Sequence, residues 1–262
     1  MQMTRISGFF HYLIKRKGPH SIHSPFVFDF ATKVIYDHKH HDAFDRILKA
    51  RKSLLKNHNV IETVDFGASA GNKAFVTYRI AVNKLAKKRM NPIKVCKLLF
   101  NTTRYFKPET ILEFGTSTGI STIALATARP DSQLITIEGC ASVASVAENL
   151  FNKMELKNIE IVIGNFDNVL AQTLERIEKL DLVFFDGNHH KLPTIDYFNQ
   201  CLTKAHENTV FIFDDIHWSD EMEEAWETII SQPNVSLSID LFKLGFVFFR
   251  KNVEKQHFIL KY

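Results

Sequence analysis

The sequence has 262 residues, enough for one large domain or a core domain with an extension, with a sizeable buried core. The three cysteines, Cys96, Cys140 and Cys201, lack metal-binding spacing and are odd in number, which argues against a disulfide framework and favours a reduced, cytoplasmic protein. No apolar run approaches the length of a membrane span, and no signal-peptide cleavage site follows the N-terminus, so neither feature is predicted.

The formal net charge of +4 hides a strong asymmetry along the chain. Residues 1–107 contain 21 Lys and Arg against 6 Asp and Glu, whereas residues 108–262 contain 12 against 23. Such a division can indicate an acidic partner for the first part. The alternative is that the two parts neutralise each other, either within the chain or across a homodimer, and this is the interpretation we favour.

The N-terminal region has helical patterns. Residues 4–16 predict a short amphipathic helix, and Ser24 followed by Pro25 is typical of a helix start. Residues 42–57 have apolar residues at helical spacing and a basic opposite face. A basic helix can bind nucleic acid or a membrane, but no interleaved aromatic residues support RNA stacking, so a solvated surface is the simpler interpretation.

Gly67 to Gly71 echo a glycine loop that occurs later in the chain. A nucleoside site would need an acidic residue after a second strand, and none occurs between Asp65 and Glu109, so we assign this loop no cofactor role. Further helices are predicted at about 75–89 and 91–105. Residues 1–107 are therefore predicted to form a mainly helical N-terminal extension or cap.

From residue 111 onwards, short apolar runs follow one another, and helical segments separate the first six. Such runs are typical of a parallel sheet covered on both faces. The last two runs are separated only by Lys243 and Leu244, which predicts a terminal antiparallel hairpin. The predicted strands are 111–115, 133–138, 159–163, 181–186, 209–214, 236–242 and 245–250.

The segment Ile111 to Thr122, ILEFGTSTGIST, predicts a strand, a glycine turn and a helix. Ligands of open α/β sheets bind at this end of the strands. Ser117 stands where a dinucleotide-binding loop has the glycine that admits a pyrophosphate. The loop therefore favours a nucleoside ligand without a pyrophosphate.

This segment resembles the first motif of class I S-adenosylmethionine (SAM)-dependent methyltransferases, and most closely the metal-dependent O-methyltransferase branch of catechol and caffeoyl-CoA type. The resemblance implies a Rossmann-like α/β fold with a seven-stranded sheet and an antiparallel last strand over residues 108–252, followed by a tail at 253–262. It implies SAM as the cofactor. The loop residues implied to bind SAM are Glu113, Gly115, Thr116, Ser117, Gly119 and Ser121.

Two later strand ends supply further cofactor candidates. Glu138 ends the second strand, 23 residues after Gly115, where a carboxylate can accept hydrogen bonds from both ribose hydroxyls. Asn165 and Phe166 follow the third strand, where the resembled family places its adenine contacts. Asn165 could bind the adenine edge and Phe166 could stack on the ring, although Phe166 fits a core position nearly as well.

Three carboxylates are predicted to converge above the sheet. Asp186 ends the fourth strand, and Asp214 and Asp215 end the fifth. Such a cluster repels itself unless a cation neutralises it, and oxygen ligands suit Mg²⁺ or Ca²⁺. The resembled family holds Mg²⁺ and the acceptor's hydroxyls there and also places Asp186 beside the cofactor. The structural alternative is that these acids cap helices.

His189 lies three residues after Asp186, in the motif D-G-N-H, which is similar to that of sugar- and antibiotic-directed O-methyltransferases. A near-neutral pKa suits a general base that removes a hydroxyl proton, so His189 and Asp186 are the predicted catalytic residues. His190 and His217 are alternative bases. The paired Asp214 and Asp215 replace the Asp-Asn of the catechol enzymes, which puts a catechol acceptor in doubt.

These features predict Mg²⁺-assisted O-methylation of a small hydroxylated acceptor. One alternative is an RNA- or protein-directed methyltransferase that uses the basic extension. Another is a non-catalytic interaction protein with the methyltransferase fold. A nicotinamide-dependent dehydrogenase is disfavoured by Ser117 and by the terminal hairpin.

Overall fold

A computed structural model describes residues 9, 12–18, 21–65 and 76–262. The Gly67–Gly71 loop and most of the predicted helix at 4–16 lie outside these residues, although residues 12–15 are helical. No helix of the described ranges is both long and apolar enough to cross a membrane. The chain divides into two compact units, residues 37–172 and residues 1–36 with 173–262.

In chain order the elements are α1 (Pro25–Phe30) with a π-helical continuation (Ala31–Ile35), α2 (Asp42–Leu55), β1 (Val60–Asp65), β2 (Val76–Ala81), α3 (Val82–Arg89), α4 (Ile93–Phe106), β3 (Thr110–Phe114), α5 (Ile120–Ala128), β4 (Gln133–Glu138), α6 (Ala141–Lys153), β5 (Ile159–Ile163), α7 (Phe166–Glu175), β6 (Leu180–Phe185), α8 (Lys191–Leu202), β7 (Ala205–Asp214), α9 (Asp220–Ser231), β8 (Leu237–Asp240), β9 (Leu244–Phe248) and β10 (Gln256–Ile259).

In the unit of residues 37–172, β3, β4 and β5 form parallel pairs with β4 in the middle. The helix α5 is buried along most of its length because its residues are small or apolar all round. Its core cluster includes Phe44 and Ile47 of α2 together with Phe151 of α6. The three parallel strands thus end at one edge, which is the edge that carries the predicted cofactor loop.

The predicted helix at 75–89 is wrong over its first half. Residues Val76–Ala81 form β2, which pairs antiparallel with β1, and only Val82–Arg89 are helical. The segment alternates between exposed and less exposed residues, and Val76, Thr77 and Ile80 are β-branched, so pairing with β1 overrides the helical pattern. The predicted helix at 91–105 is confirmed as α4, with Pro92 at its N-cap.

In the other unit, β7 pairs parallel with β6 and antiparallel with β9, and β9 pairs antiparallel with β8. The predicted terminal hairpin is confirmed. An additional strand, β10, pairs parallel with β8 within the segment 253–262 that is predicted only as a tail. The exposed and partly polar sequence of β10 explains why its strand character is not evident from the pattern.

The N-terminal residues of this unit pack against its C-terminus. Tyr12 donates a 2.7 Å hydrogen bond from its hydroxyl to the carbonyl oxygen of Leu260, and its hydroxyl accepts one from the backbone of Tyr262. The predicted start of α1 is confirmed, because Ser24 is its N-cap and Pro25 its first residue. Phe9 and Tyr12 also contact the ring of Phe242, in the turn of the β8–β9 hairpin.

We expect Ser219→Ala to lower the free energy of unfolding by about 1 kcal/mol, since the Ser219 hydroxyl caps α9 by accepting a hydrogen bond from the backbone N–H of Met222 at 3.2 Å. Urea unfolding checks this. Ser219→Asp should retain the cap, and Ser231→Ala at the other end of the helix should change little. Equal losses in Ser219→Ala and Ser231→Ala would contradict a capping role.

Candidate functional site

The loop after β3 has the tight geometry that the sequence predicts. Gly115 and Gly119 have φ angles of 93° and 84°, and Ser117 between them has a φ of 48°. A side chain at Gly119 would place its Cβ 2.6 Å from Cε1 of Phe151. The glycine is therefore required at 119 by the packing of α6 against the start of α5, as well as by its backbone conformation.

Glu138 holds this loop in place. Its Oε2 accepts a hydrogen bond from the backbone N–H of Ser117 at 2.8 Å, and its Oε1 accepts one from the backbone N–H of Cys140 at 3.0 Å. The side chain is buried, and both of its oxygens contact backbone N–H groups. The carboxylate therefore lies beside the glycine turn, at the end of β4.

Glu113 is the fully buried member of the loop. Its Oε2 accepts hydrogen bonds from the hydroxyls of Thr122 at 2.5 Å and Thr136 at 2.7 Å. Burial raises the pKa of Glu113 to about 7, although the hydrogen bonds from Thr122 and Thr136 oppose this shift. The carboxyl of Glu113 therefore loses its proton only near neutral pH. Thr116 completes the network through a 2.7 Å contact between its hydroxyl and that of Thr136.

Two buried oxygen atoms at this loop, Oε1 of Glu113 and Oγ of Ser117, have no hydrogen-bond partner among the described residues. Buried polar atoms are almost always paired, so such atoms indicate a missing donor or acceptor. Both belong to residues that the sequence predicts to contact SAM. The loop therefore fits a polar ligand at this position.

The two residues predicted to contact adenine, Asn165 and Phe166, both contact other residues of the protein. Asn165 lies before α7, and its Oδ1 accepts a 3.3 Å hydrogen bond from the backbone of Asp167. Phe166 is half-buried, and its ring meets that of Phe114 edge-on at 5.3 Å. The adenine roles of Asn165 and Phe166 stay predictions.

The three aspartates lie in the unit of residues 1–36 and 173–262, and two of them share a cation. The ammonium of Lys243 lies 2.7 Å from Oδ1 of Asp215 and 3.0 Å from the carboxylate of Asp214. Asp186 lies near enough to Asp214 to lower the pKa of its carboxyl. Asp214 and Asp215 therefore share one ammonium, and Asp186 lies next to this pair.

The pKa values of Asp214 and Lys243 depend on each other's charge. Burial and the neighbouring Asp215 raise the pKa of Asp214 to about 6, while Lys243 and Asp186 oppose the increase. Burial alone would lower the pKa of Lys243, but the charges of Asp214 and Asp215 outweigh it and raise the pKa above its usual range. Lys243 is therefore a permanent ammonium at any physiological pH.

The described side chains do not fit a divalent ion at this position. No group of three or more His, Cys, Asp or Glu residues in the described ranges is arranged to hold a metal. Lys243 uses the oxygens of Asp214 and Asp215 that would ligate the ion. A divalent ion about 4 Å from this ammonium would face a repulsion of about 8 kcal/mol at an effective dielectric constant of about 20.

Only one of the three candidate histidines lies at the cluster. His189 Nε2 is 3.8 Å from Oδ1 of Asp186, whereas His190 pairs with Glu221 at 3.1 Å and His217 with Asp240 at 2.8 Å. Burial lowers the pKa of His189, with smaller contributions from Lys243 and His190, and Asp215 opposes them. His189 is therefore a neutral imidazole at neutral pH, which is the form that accepts a proton.

Sequence reasoning overlooked Lys243, which appears there only as a spacer between two strands. The signal that could have identified it is the antiparallel return of β9 along β7, which pairs Leu244 with Asp214. The residue before Leu244 must then lie near the aspartates. The contact of His217 with buried Asp240, which lies on β8 of the same hairpin, was missed for the same reason.

Comparison with known proteins adds independent findings. Residues 112–216 match the family model of a methyltransferase domain. A catechol O-methyltransferase of Niastella koreensis is 31% identical over 143 residues, covering 52% of this chain and 64% of that protein. A tRNA (guanine-N(7)-)-methyltransferase of Mycoplasma mobile is 26% identical over 111 residues, covering 41% and 53%. The chain thus spans between half and two thirds of these relatives' lengths.

Solved structures share the fold over most of the chain. An SAH-bound methyltransferase of Podospora anserina superposes with a TM-score of 0.57 at 16% identity, covering 83% of this chain and 92% of that one. The O-methyltransferase TomG of Streptomyces achromogenes, in complex with SAM and involved in tomaymycin synthesis, gives 0.56 at 20% identity, with 86% and 95% covered. The predicted fold class is confirmed: residues 112–216 match a methyltransferase domain model, and the chain has the Rossmann-like α/β fold of these solved methyltransferases.

Proposed function

We propose that this protein transfers the methyl group of SAM to a hydroxyl group of a small acceptor. The observation that carries the proposal is the loop at Gly115–Gly119, where Glu138 fixes the backbone and buried oxygens of Glu113 and Ser117 lack partners among the residues described. The similarity to a catechol O-methyltransferase and to SAM-bound and SAH-bound structures supports it.

The residues of each unit have distinct tasks in this proposal. Glu138 would accept hydrogen bonds from the ribose hydroxyls, and Ser117 and Glu113 would face the polar part of the cofactor. When bound, SAM would supply the methyl group for the acceptor oxygen, and its sulfur would keep the electron pair of the broken carbon–sulfur bond. His189, neutral because of its burial, would accept the proton of the acceptor's hydroxyl, and Asp186 would orient the imidazole.

Assistance by Mg²⁺ or Ca²⁺ at Asp186, Asp214 and Asp215 stays a prediction and has no part in this mechanism. The convergence of the carboxylates supports it, while the position of Lys243 argues against it. The division of the chain into an extension at 1–107 and a methyltransferase domain at 108–252 is likewise a proposal.

We expect Glu138→Gln to weaken SAM binding by about 10- to 100-fold, because charge-assisted hydrogen bonds contribute about 1.5–3 kcal/mol. Isothermal titration calorimetry with SAM measures the change. The matched control is Glu148→Gln, an exposed glutamate on α6, which should bind like the wild type. Absence of binding heat with the wild-type protein would refute the cofactor assignment.

Methyl transfer itself is tested by incubating the protein with SAM and a panel of catechols and hydroxylated sugars. A mass increase of one methyl group on an acceptor, dependent on His189, is the expected result. Transfer that is undiminished in His189→Gln would show that another group removes the proton.

A second candidate, an RNA-directed methyltransferase, is favoured by the similarity to the tRNA enzyme and by the exposed basic residues of α2 and its C-cap. These residues are Arg46, Lys49, Lys52 and Lys56. This candidate predicts binding to tRNA that weakens steeply with salt. A filter-binding series from low to physiological salt distinguishes it from the small-molecule enzyme, for which no specific binding is expected.

A further inference from the structure

The position of Lys243 suggests a role that the proposed methyl transfer leaves open. We propose that the Lys243 ammonium is the built-in cation of the acceptor site, occupying the place between Asp214 and Asp215 that a divalent ion would need, so that the reaction proceeds without a metal. The inference rests on the proposed function, because it assigns Lys243 to the binding of the acceptor's oxygen.

The backbone that carries Lys243 is held in one conformation. The Lys243 carbonyl accepts a hydrogen bond from the backbone of Ile216 at 3.4 Å, which ties the hairpin turn to the loop that follows Asp215. Within the turn, the backbone N–H of Phe242 donates to Oδ1 of buried Asp240 at 2.6 Å. The β8–β9 turn therefore presents Lys243 from a fixed base rather than from a free surface loop.

Aromatic packing fixes the same turn from its other side. The ring of Phe242 stacks on that of His217 at 5.2 Å, and it also contacts the rings of Tyr12 at 5.3 Å and Phe9 at 5.0 Å. Phe242 has a φ of 70°, a conformation that is costly for an aromatic residue and persists only where the surroundings impose it. The position of this turn is therefore imposed by its packing.

The hydrogen-bonding capacity of Lys243 matches the assigned role. An ammonium has three N–H donors, and Asp214 and Asp215 are its two partners in the cluster. A third donor is available for an acceptor oxygen, whose developing negative charge it would stabilise as His189 removes the proton. The side chain is about one-third exposed, so an acceptor can reach it.

A metal ion could bind only by displacing Lys243 from both aspartates. The ammonium is tethered to the chain, so its effective concentration at the carboxylates is far above that of free Mg²⁺. Removing the ammonium should free Asp186, Asp214 and Asp215 for a divalent ion. The proposal therefore predicts a gain of metal binding in a variant, which loss of folding cannot imitate.

The test measures Mn²⁺ binding by electron paramagnetic resonance, together with methyl transfer in EDTA. We expect the wild type to bind Mn²⁺ no more tightly than about 1 mM, the range of weak oxygen sites, and to retain its activity in EDTA. Lys243→Met should bind Mn²⁺ at least about 10-fold more tightly, as expected when carboxylates lose a competing cation. Lys251→Met, which removes an exposed lysine of the same unit, should behave like the wild type.

Micromolar Mn²⁺ binding by the wild type, or loss of its activity in EDTA, would overturn the proposal. Unchanged weak Mn²⁺ binding in a folded Lys243→Met variant would also overturn it. If Lys243→Met does not fold, Lys243→Gln replaces it in the same measurement. SAM titrations on the same samples separate the two claims: absence of SAM binding defeats the methyltransferase function whatever the Mn²⁺ result, whereas SAM binding with tight Mn²⁺ binding defeats only the role of Lys243.

Discussion

Gly119→Ala should destabilise the protein by about 3 kcal/mol, combining a left-handed backbone cost of about 1–2 kcal/mol with overpacking of similar size. The added methyl group would lie 2.6 Å from Cε1 and 2.8 Å from Cζ of Phe151, and 3.2 Å from Cβ of Ala147. Phe151 lies on α6 and is buried in the hydrophobic core, so its ring cannot move away without disturbing its neighbours.

Urea unfolding of a double-mutant cycle separates the two contributions. Phe151→Leu should relieve the clash but leave the φ of 84° unfavourable for alanine, so the double variant should be more stable than the sum of the single losses predicts. Gly18→Ala is the matched control, because no described atom lies within 4 Å of the position that its added methyl group would take. Equal stabilities of Gly119→Ala and Gly18→Ala would refute the packing argument.

The sheet was predictable because its central strands are buried on both faces. β4 is buried except at Gln133, and its bounds coincide with the predicted run at 133–138, since a nearly continuous apolar segment between helical patterns leaves few alternatives. β5 is only partly buried, but its bounds also coincide with the predicted run at 159–163. The β1–β2 pair lacked such a signal. Its two strands are partly exposed, and residues 76–81 precede a helix in a pattern that also fits a longer helix.

The candidate site was predictable where it depends on local sequence. The turn at Gly115–Gly119 and Glu138 follow from strand ends and spacing, and the structure places the Glu138 carboxylate on the backbone of Ser117. Lys243 could not be identified in this way. It lies 28 residues beyond Asp215, and only the antiparallel register of β9 on β7 brings the two together. The pairing of β9 with β7 therefore brings the positive charge of Lys243 to the aspartates.

The buried carboxyl of Glu113 should make the stability of the protein depend on pH. Burial raises the pKa of this carboxyl to about 7 in the folded protein, from an ordinary value of 4.5. Between these values the folded protein keeps a proton that the unfolded chain has released. The free energy of unfolding therefore falls as the pH rises through this window, by about 3 kcal/mol in total, and the Glu113 contribution is constant below and above it.

Glu113→Gln should remove this contribution, because its amide oxygen can accept the hydrogen bonds of Thr122 and Thr136 without ionising. The variant and the wild type should have similar stabilities near pH 4.5, and the variant should become more stable by about 3 kcal/mol at pH 8. Urea unfolding at closely spaced pH values measures the difference, with Glu148→Gln as the exposed control. Parallel curves for Glu113→Gln and wild type would show that Glu113 ionises as it does in the unfolded chain. A diverging pair would show that the loop after β3 contains a carboxyl whose ionisation is unfavourable in the folded protein. Because Oε1 of Glu113 has no partner among the described residues, a donor or cation placed there would favour the ionised form.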